Sequence, residues 1–165
     1  MQPRFVHLRV HTEFSMVDGL VRIKPLMKTL VEKGMNAVAV TDFCNLFAAV
    51  KVFKAAIDRG VKPIIGGDLP CHDPENPEQL SSLVLLCQNE TGYRNLTRLV
   101  SKAYQEGQYQ GQPRIHHDWI AAYSEGLIAL SGGRKGSIGK ALLAGDEPGA
   151  YDLAKSLAAI FPNRF

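Results

Sequence analysis

Five short apolar runs, separated by segments with helical periodicity, limit this chain to the α/β class. The runs predict strands over residues 5–10, 36–41, 62–67, 83–87 and 126–130. Most of them are apolar at successive positions, which is typical of strands that are buried on both faces and joined in parallel through helices. We therefore expect about five parallel strands alternating with helices.

The segments between the apolar runs carry amphipathic stripes that predict helices. We expect these helices over residues 21–33, 46–59, 91–106, 118–123, 138–144 and 147–160, and polar loops over 70–78 and 106–112. Since neither a repeat nor a low-complexity linker interrupts the pattern, residues 1–165 are expected to lie in one domain without a second. The sequence stops where another strand is expected, so we interpret it as the N-terminal part of that domain.

Composition and charge exclude several classes of protein. An apolar content of 45% fits a soluble domain, and no apolar run approaches the roughly 20 residues of a membrane-spanning helix. The formal net charge of +3 is small, which argues against strong DNA binding by this segment alone. Cys44, Cys71 and Cys87 are odd in number and far apart, which fits a reducing cytoplasm better than a disulfide framework.

Polar side chains that follow the predicted strands are the candidate site residues. His11, Asp18, Asp42 and Asp68 each come after an apolar run, and the carboxyl ends of parallel strands meet at one edge of a sheet. Imidazole and carboxylate groups are ligands for zinc, manganese or magnesium. Each residue also has a structural interpretation, because Asp18 precedes a glycine as in a turn and the other two aspartates could cap helices.

A glycine-rich loop after the last predicted strand is a candidate anion site. Its glycines and the following helix could present backbone N–H groups to a phosphate, helped by basic side chains. The spacing does not match a P-loop, and a tight strand-to-helix turn is the favoured alternative. The candidate residues are Ser131, Gly132, Arg134 and Lys135.

Five ordered motifs resemble the polymerase and histidinol phosphatase (PHP) domain family, in the form found at the start of bacterial DNA polymerase III α subunits. They read HLRVHTEFSMVDG at 7–19, TDFCNLF at 41–47, KPIIG at 62–66, TGYRNL at 91–96 and GLIALSGG at 126–133. The resemblance runs from about residue 4 to residue 165. It implies a distorted β/α barrel of about seven strands, truncated here after about five.

The family's metal site is a multi-metal phosphoesterase centre, and this chain departs from its ligand pattern. The resemblance places retained ligands at His11, Asp18 and Asp68, with Asp42 as a supporting residue behind them. Other ligand positions carry side chains that do not bind metal, or no side chain at all: Arg9, Phe43, Ser82 and Gly133. The assignment of Ser82 allows for a one-residue alignment slip.

These replacements suggest a site that has lost its metal. Clustered carboxylates without a cation would repel one another, and a guanidinium can grip two carboxylates at once. We hypothesise that Arg9 pairs with Asp18 and Asp68 in place of the metal, and that Phe43 fills the volume of a lost imidazole. On this hypothesis the segment has no catalytic residue and no cofactor. The alternative is zinc, manganese or magnesium held at the vestigial site.

The resemblance implies a segment of a replicative DNA polymerase subunit, a nucleotidyltransferase whose catalytic domains lie elsewhere in the parent chain. This segment is expected to be an inactive structural and docking domain in the cytoplasm. Its implied partners are the remainder of the α subunit and the proofreading ε exonuclease, with DNA bound through the full-length polymerase and no membrane. One alternative is a metal-dependent phosphoesterase, such as a 3′–5′ exonuclease or pyrophosphatase. Another is a small domain that binds phosphates through the loop at 131–137.

Overall fold

The computed structural model describes residues 5–72 and 80–165. The helices of these ranges are α1 Ile23–Glu32, α2 Ala49–Ile57, α3 Glu90–Gln105, α4 His117–Ala122, α5 Ser137–Leu143 and α6 Glu147–Ile160. The strands are β1 Ala37–Val40, β2 Lys62–His72, β3 Leu80–Cys87, β4 Gln108–Tyr109, β5 Gln112–Pro113 and β6 Leu127–Leu130. Short 3₁₀-helices cover Glu13–Ser15 and Gly133–Lys135. No helix in the described ranges is long and apolar enough to cross a membrane.

The main sheet has the order β1-β2-β3-β6 and mixed strand directions. β1 and β2 are parallel, whereas β3 runs antiparallel to both of its neighbours, β2 and β6. The α/β class is therefore confirmed, but the expectation of parallel strands throughout is wrong at β3. A parallel crossover needs about a dozen residues or more, and residues 73–79 between β2 and β3 are too few for one.

Several predicted boundaries also differ from the structure. Residues 5–10 do not form a full strand, but they run beside β1 through one bridge between His7 and Val38. Two backbone hydrogen bonds hold them there, from Ala39 N to His7 O and from Thr41 N to Val10 O. β2 continues through Pro70 to His72, where a loop was expected, and the rest of that loop lies outside the described residues. The predicted loop at 106–112 contains the first strand of the β4–β5 hairpin.

Helices cover one face of the sheet, and the candidate site lies on the other. α3 begins where the side chain of Asn89 accepts a hydrogen bond from Gly92 N, and it buries Leu96 and Leu99. These leucines pack in one core with Leu69, Leu83 and Leu85 of β2 and β3, where each fully buried leucine contributes about 1.5–3 kcal/mol. Because side chains alternate along a strand, Asp68 and its cross-strand neighbours Val84 and Ser82 lie on the opposite face.

Candidate functional site

The loop at 11–19 closes tightly on itself beside the end of β1. Glu13 N donates to Val21 O at 3.0 Å, and a bridge joins Thr12 to Val21. A Cβ atom on Gly19 would stand 1.7 Å from Thr12 O, so only glycine fits this close approach. The loop is thereby held in one arrangement that presents His11 and Asp18.

Asp42 is the anchor of this loop. Its buried carboxylate accepts hydrogen bonds from Thr12 N at 2.6 Å, from the Thr12 hydroxyl at 2.8 Å, and from the Ser15 hydroxyl at 2.7 Å. The Ser15 hydroxyl accepts in turn from Phe43 N at 3.0 Å. Every one of these donors is neutral. Asp42 therefore supports the site from behind by holding loop 11–19 to the end of β1.

Asp68 is the centre of the candidate site. Its carboxylate is buried, and its Oδ2 atom accepts from Arg9 Nε at 2.9 Å and from a second guanidinium nitrogen of the same residue. The Nε2 atom of His11 lies 3.0 Å from the same oxygen. The other oxygen, Oδ1, accepts from the Ser82 hydroxyl. Asp68 is therefore surrounded by two cationic side chains and one hydroxyl.

His11, and not Arg9, connects the two acidic candidates. Its Nδ1 atom lies 3.0 Å from Asp18 Oδ1 while its Nε2 atom faces Asp68. Among the described residues Arg9 bonds to Asp68 alone, so the expectation that it also pairs with Asp18 is wrong. The reason is geometric, because both guanidinium nitrogens in contact reach the same oxygen of Asp68 and the fork does not span two carboxylates.

The charges of this cluster change the pKa values of its members. Burial alone would raise the pKa of Asp68, but hydrogen bonds from His11, Ser82 and Arg9 outweigh burial and lower it. The hydrogen bond to Asp68 raises the pKa of His11; burial opposes this, and Asp18 adds to the rise, so the net pKa exceeds the usual 6.5. The cluster therefore favours an ionised Asp68 and a protonated His11.

Phe43 lies beside Asp68 but is only partly packed. A parallel bridge joins the two residues, and Cys44 N donates to Asp68 O at 2.9 Å. The Phe43 side chain is 41% exposed. It therefore does not occupy an enclosed volume left by an imidazole, and the expectation that Phe43 fills such a volume is wrong.

The glycine loop after β6 packs against the same region through its backbone. Gly132 has a φ of 75°, and a Cβ atom there would stand 2.1 Å from Ser82 O. Gly133 also has a positive φ, 59°, at the start of the 3₁₀-helix. The basic side chains of Arg134 and Lys135 are exposed. This geometry has the features of the tight turn, and the anion site of Ser131, Gly132, Arg134 and Lys135 stays a prediction.

The side chains present do not fit a bound divalent metal. Within residues 5–72 and 80–165, no group of three or more His, Cys, Asp or Glu side chains could hold an ion. Both ring nitrogens of His11 face carboxylates, and the Oδ2 atom of Asp68 is already bonded to the Arg9 guanidinium. A second cation beside that guanidinium would meet direct charge repulsion.

Thr12 and Ser15 were not singled out by sequence reasoning, although they supply side-chain donors to Asp42. Hydroxyl residues are common in loops, so their pattern alone did not distinguish them. The signal that could have found them is the buried aspartate itself. A carboxylate directly after a buried strand requires donors, and these two hydroxyls lie in the adjacent loop.

Comparison with known proteins shows the family to which the chain belongs. The family model described as "PHP domain" matches residues 7–165, and the chain belongs to that family. It is 50% identical over 165 residues to DNA polymerase III subunit alpha of Pseudomonas aeruginosa, an alignment covering 100% of this chain. It is 44% identical over 164 residues to DNA polymerase III subunit alpha of Escherichia coli K12, covering 99% of this chain.

These relatives are much longer proteins, since the chain spans 14% of the length of each. Among solved structures, an amidohydrolase from Chromobacterium violaceum aligns with 61% of this chain and 33% of its own chain. The TM-score is 0.48 at 15% sequence identity. A structural similarity of this extent does not indicate a shared function.

Proposed function

We propose that this chain is the PHP segment of a DNA polymerase III α subunit, and that it serves DNA replication as a catalytically inactive structural domain. Family membership and the identity to α subunits support the first part. The single observation that supports the second is the guanidinium of Arg9 on the buried carboxylate of Asp68. It puts a permanent cation of the protein where the family's pattern would place a metal ligand.

The arrangement lacks what metal-assisted phosphoester hydrolysis requires. Such enzymes use bound ions to generate a hydroxide nucleophile and to neutralise the phosphoryl group. Here Asp68 is held ionised by donors from the protein itself, and His11 is bonded through both ring nitrogens. Neither group is available as a general base. The cluster instead ties β2, β3 and the extended segment at 9–11 together.

The partners of the proposed domain follow from the longer protein. We propose that residues 1–165 form the N-terminal part of one PHP domain and contact the remainder of the α subunit. The proofreading ε exonuclease is proposed as a second partner, and DNA is bound by other parts of the polymerase. The low net charge of +3 is consistent with a segment that does not bind DNA strongly by itself.

Elemental analysis of the purified and dialysed protein tests the proposed loss of the metal. We expect substoichiometric zinc, manganese and magnesium. We also expect that the full-length protein extends a primed DNA template, and that the PHP segment adds no exonuclease or pyrophosphatase activity. Stoichiometric metal, or a hydrolytic activity that EDTA abolishes and His11→Ala removes, would establish the phosphoesterase alternative.

A further inference from the structure

α2 carries two apolar stripes, although only one of them is used within the described fold. Its buried stripe, Val52 and Ala56, packs over β1 with α1. A second stripe, Val50, Phe53 and Ile57, is 64%, 54% and 57% exposed. At 3.6 residues per turn this second stripe lies on the flank next to the buried one, and a helix with so wide an apolar surface is ordinarily covered over that width. The second stripe therefore indicates a contact that the described residues do not supply.

The exposed stripe borders a groove between α2 and α3. The cavity is about 440 Å³ in volume, and its floor is formed by Pro63 and Ile65 of β2 and by Cys87 of β3. Its far wall includes Tyr93 of α3, which is 40% exposed. Cavities of this size and apolar character normally receive a ligand or a packed partner.

The topology of the sheet explains why the groove exists. In a succession of parallel β/α units, each pair of neighbouring strands is joined by a helix on the sheet face. β2 and β3 are antiparallel, and residues 73–79 between them are too few for a crossover helix. α2 therefore lines one side of the sheet face and α3 the other, and the described fold leaves a gap between them over β2 and β3.

We propose that an amphipathic helix from elsewhere in the α-subunit polypeptide packs into this gap, against Val50, Phe53 and Tyr93. This inference rests on the proposed function, because it requires the longer chain. The chain spans only 14% of its α-subunit relatives, so most of such a polypeptide is available to supply the helix. Tethering in one chain also gives the helix a high effective concentration at the groove.

The charges at the rim define the complementary face of the helix. Lys54 lines the groove, is exposed, and forms no ion pair with any described residue. The acidic residue of the lining, Glu90, is paired with Arg94 on α3. The incoming helix therefore carries apolar residues at spacings of three and four, with a carboxylate placed to meet Lys54.

Photo-crosslinking in the full-length subunit tests this inference. With p-benzoylphenylalanine in place of Val50, we expect an intramolecular crosslink to a same-chain peptide that has this apolar and acidic pattern. The same probe at Val31, an exposed apolar position of α1 at 49% exposure, should not reach that peptide. A crosslink to a second copy, to another protein, or to no peptide would overturn the proposal.

Charge reversal on α2 provides a matched pair of variants. Lys54→Glu should reduce the Val50 crosslink about tenfold, since like charges would then face each other across the groove. Lys51→Glu changes the same charge on the same helix, but Lys51 lies over the Phe14 ring instead of the groove. Equal effects of the two variants would contradict the predicted contact. Stoichiometric metal at Asp68 would overturn the proposed function without affecting these crosslinks, so the two failures are distinguishable.

Discussion

Among the described residues, the buried aspartates Asp42 and Asp68 are stabilised by different kinds of donor. Asp42 is 2% exposed and accepts hydrogen bonds from a backbone amide and two hydroxyls. Asp68 is 1% exposed and is contacted by a guanidinium, an imidazole and one hydroxyl. The two carboxylates are close along the backbone, because Asp68 N donates to Asp42 O at 3.2 Å.

This difference in donors indicates which part of the site could change without loss of the fold. The Asp42 network holds the loop through neutral groups and needs no ion at the site. Asp68 is equally buried, but the charge of its carboxylate is compensated by the guanidinium of Arg9. The hydrogen bonds by which Asp42 holds the loop therefore do not involve the charged groups around Asp68.

The largest effect is expected from removing the compensating cation. Arg9→Met should lower the free energy of unfolding by about 2 kcal/mol, because it leaves Asp68 buried with less compensation. The effect is below that of a fully buried pair because the Arg9 side chain is 37% exposed. Urea unfolding at neutral pH measures it.

A double-mutant cycle with Asp68→Asn gives the control for this prediction. The two substitutions should be strongly non-additive, since Arg9→Met has no charge left to expose once Asp68 is neutral. Additive losses would mean that the contact between Arg9 and Asp68 does not stabilise the protein.

The neutral network should respond to loss of a hydroxyl by a smaller amount. Ser15→Ala removes a donor to Asp42 and the acceptor of Phe43 N, which should cost about 1–2 kcal/mol. Ser101→Ala, at an exposed position of α3, should be close to neutral. The Ser15 loss should add to the Arg9 loss, because the two side chains bond to different carboxylates.

The pH dependence of stability reports on the cluster of His11 and Asp68. The pKa of His11 is raised in the folded state, so its stabilising contribution is complete below the usual 6.5 and is lost as pH rises through the folded value. The lowered pKa of Asp68 gives a contribution present above the usual 3.8 and lost as pH falls through the folded value. Stability from this cluster is therefore greatest between about pH 4 and 6.5.

Unfolding measured across this range tests both signs. In His11→Gln the loss of stability above pH 6.5 should disappear, whereas the exposed His117→Gln should leave the profile unchanged. An unchanged high-pH slope in His11→Gln would show that the imidazole bridge does not contribute.

The smallest effect is expected from placing an imidazole at the partly exposed position of Phe43. Phe43→His should change stability by less than about 0.5 kcal/mol, because the side chain is 41% exposed. It should also fail to restore metal binding while the guanidinium of Arg9 remains on Asp68. Equilibrium dialysis with zinc measures this, and recovery of a stoichiometric ion would show that Phe43 and not Arg9 was the obstacle.

The sequence predicted the features that depend on a local residue pattern. It did not predict strand direction or the partners of site side chains, because these depend on the whole fold. The stripe of α1 and the run of β1 were predicted because their residue periodicity is itself the signal. The direction of β3 was not predicted because an apolar run does not encode strand direction. The connection between β2 and β3 is too short for a parallel crossover, but this becomes evident only when β2 is known to extend to His72.

Within the site, likewise, the replaced residue was predicted but not all of the side-chain contacts. The resemblance to the family's ligand pattern identified Arg9 as a replacement, and its pairing with Asp68 was predicted from that pattern together with charge. The bridging role of His11 was not, since a regular strand gives no information on which carboxylate each ring nitrogen meets. Loop closure at Gly19 and the Asp42 anchor determine that placement.

The most direct test of the central claim is a calorimetric titration of manganese into the dialysed protein and its Arg9→His variant. The account predicts no binding by the unaltered protein. It predicts binding by the variant, in which a second imidazole joins His11, Asp18 and Asp68 and the guanidinium is gone. Tight, stoichiometric binding by the unaltered protein, at an affinity equal to that of the variant, would contradict it.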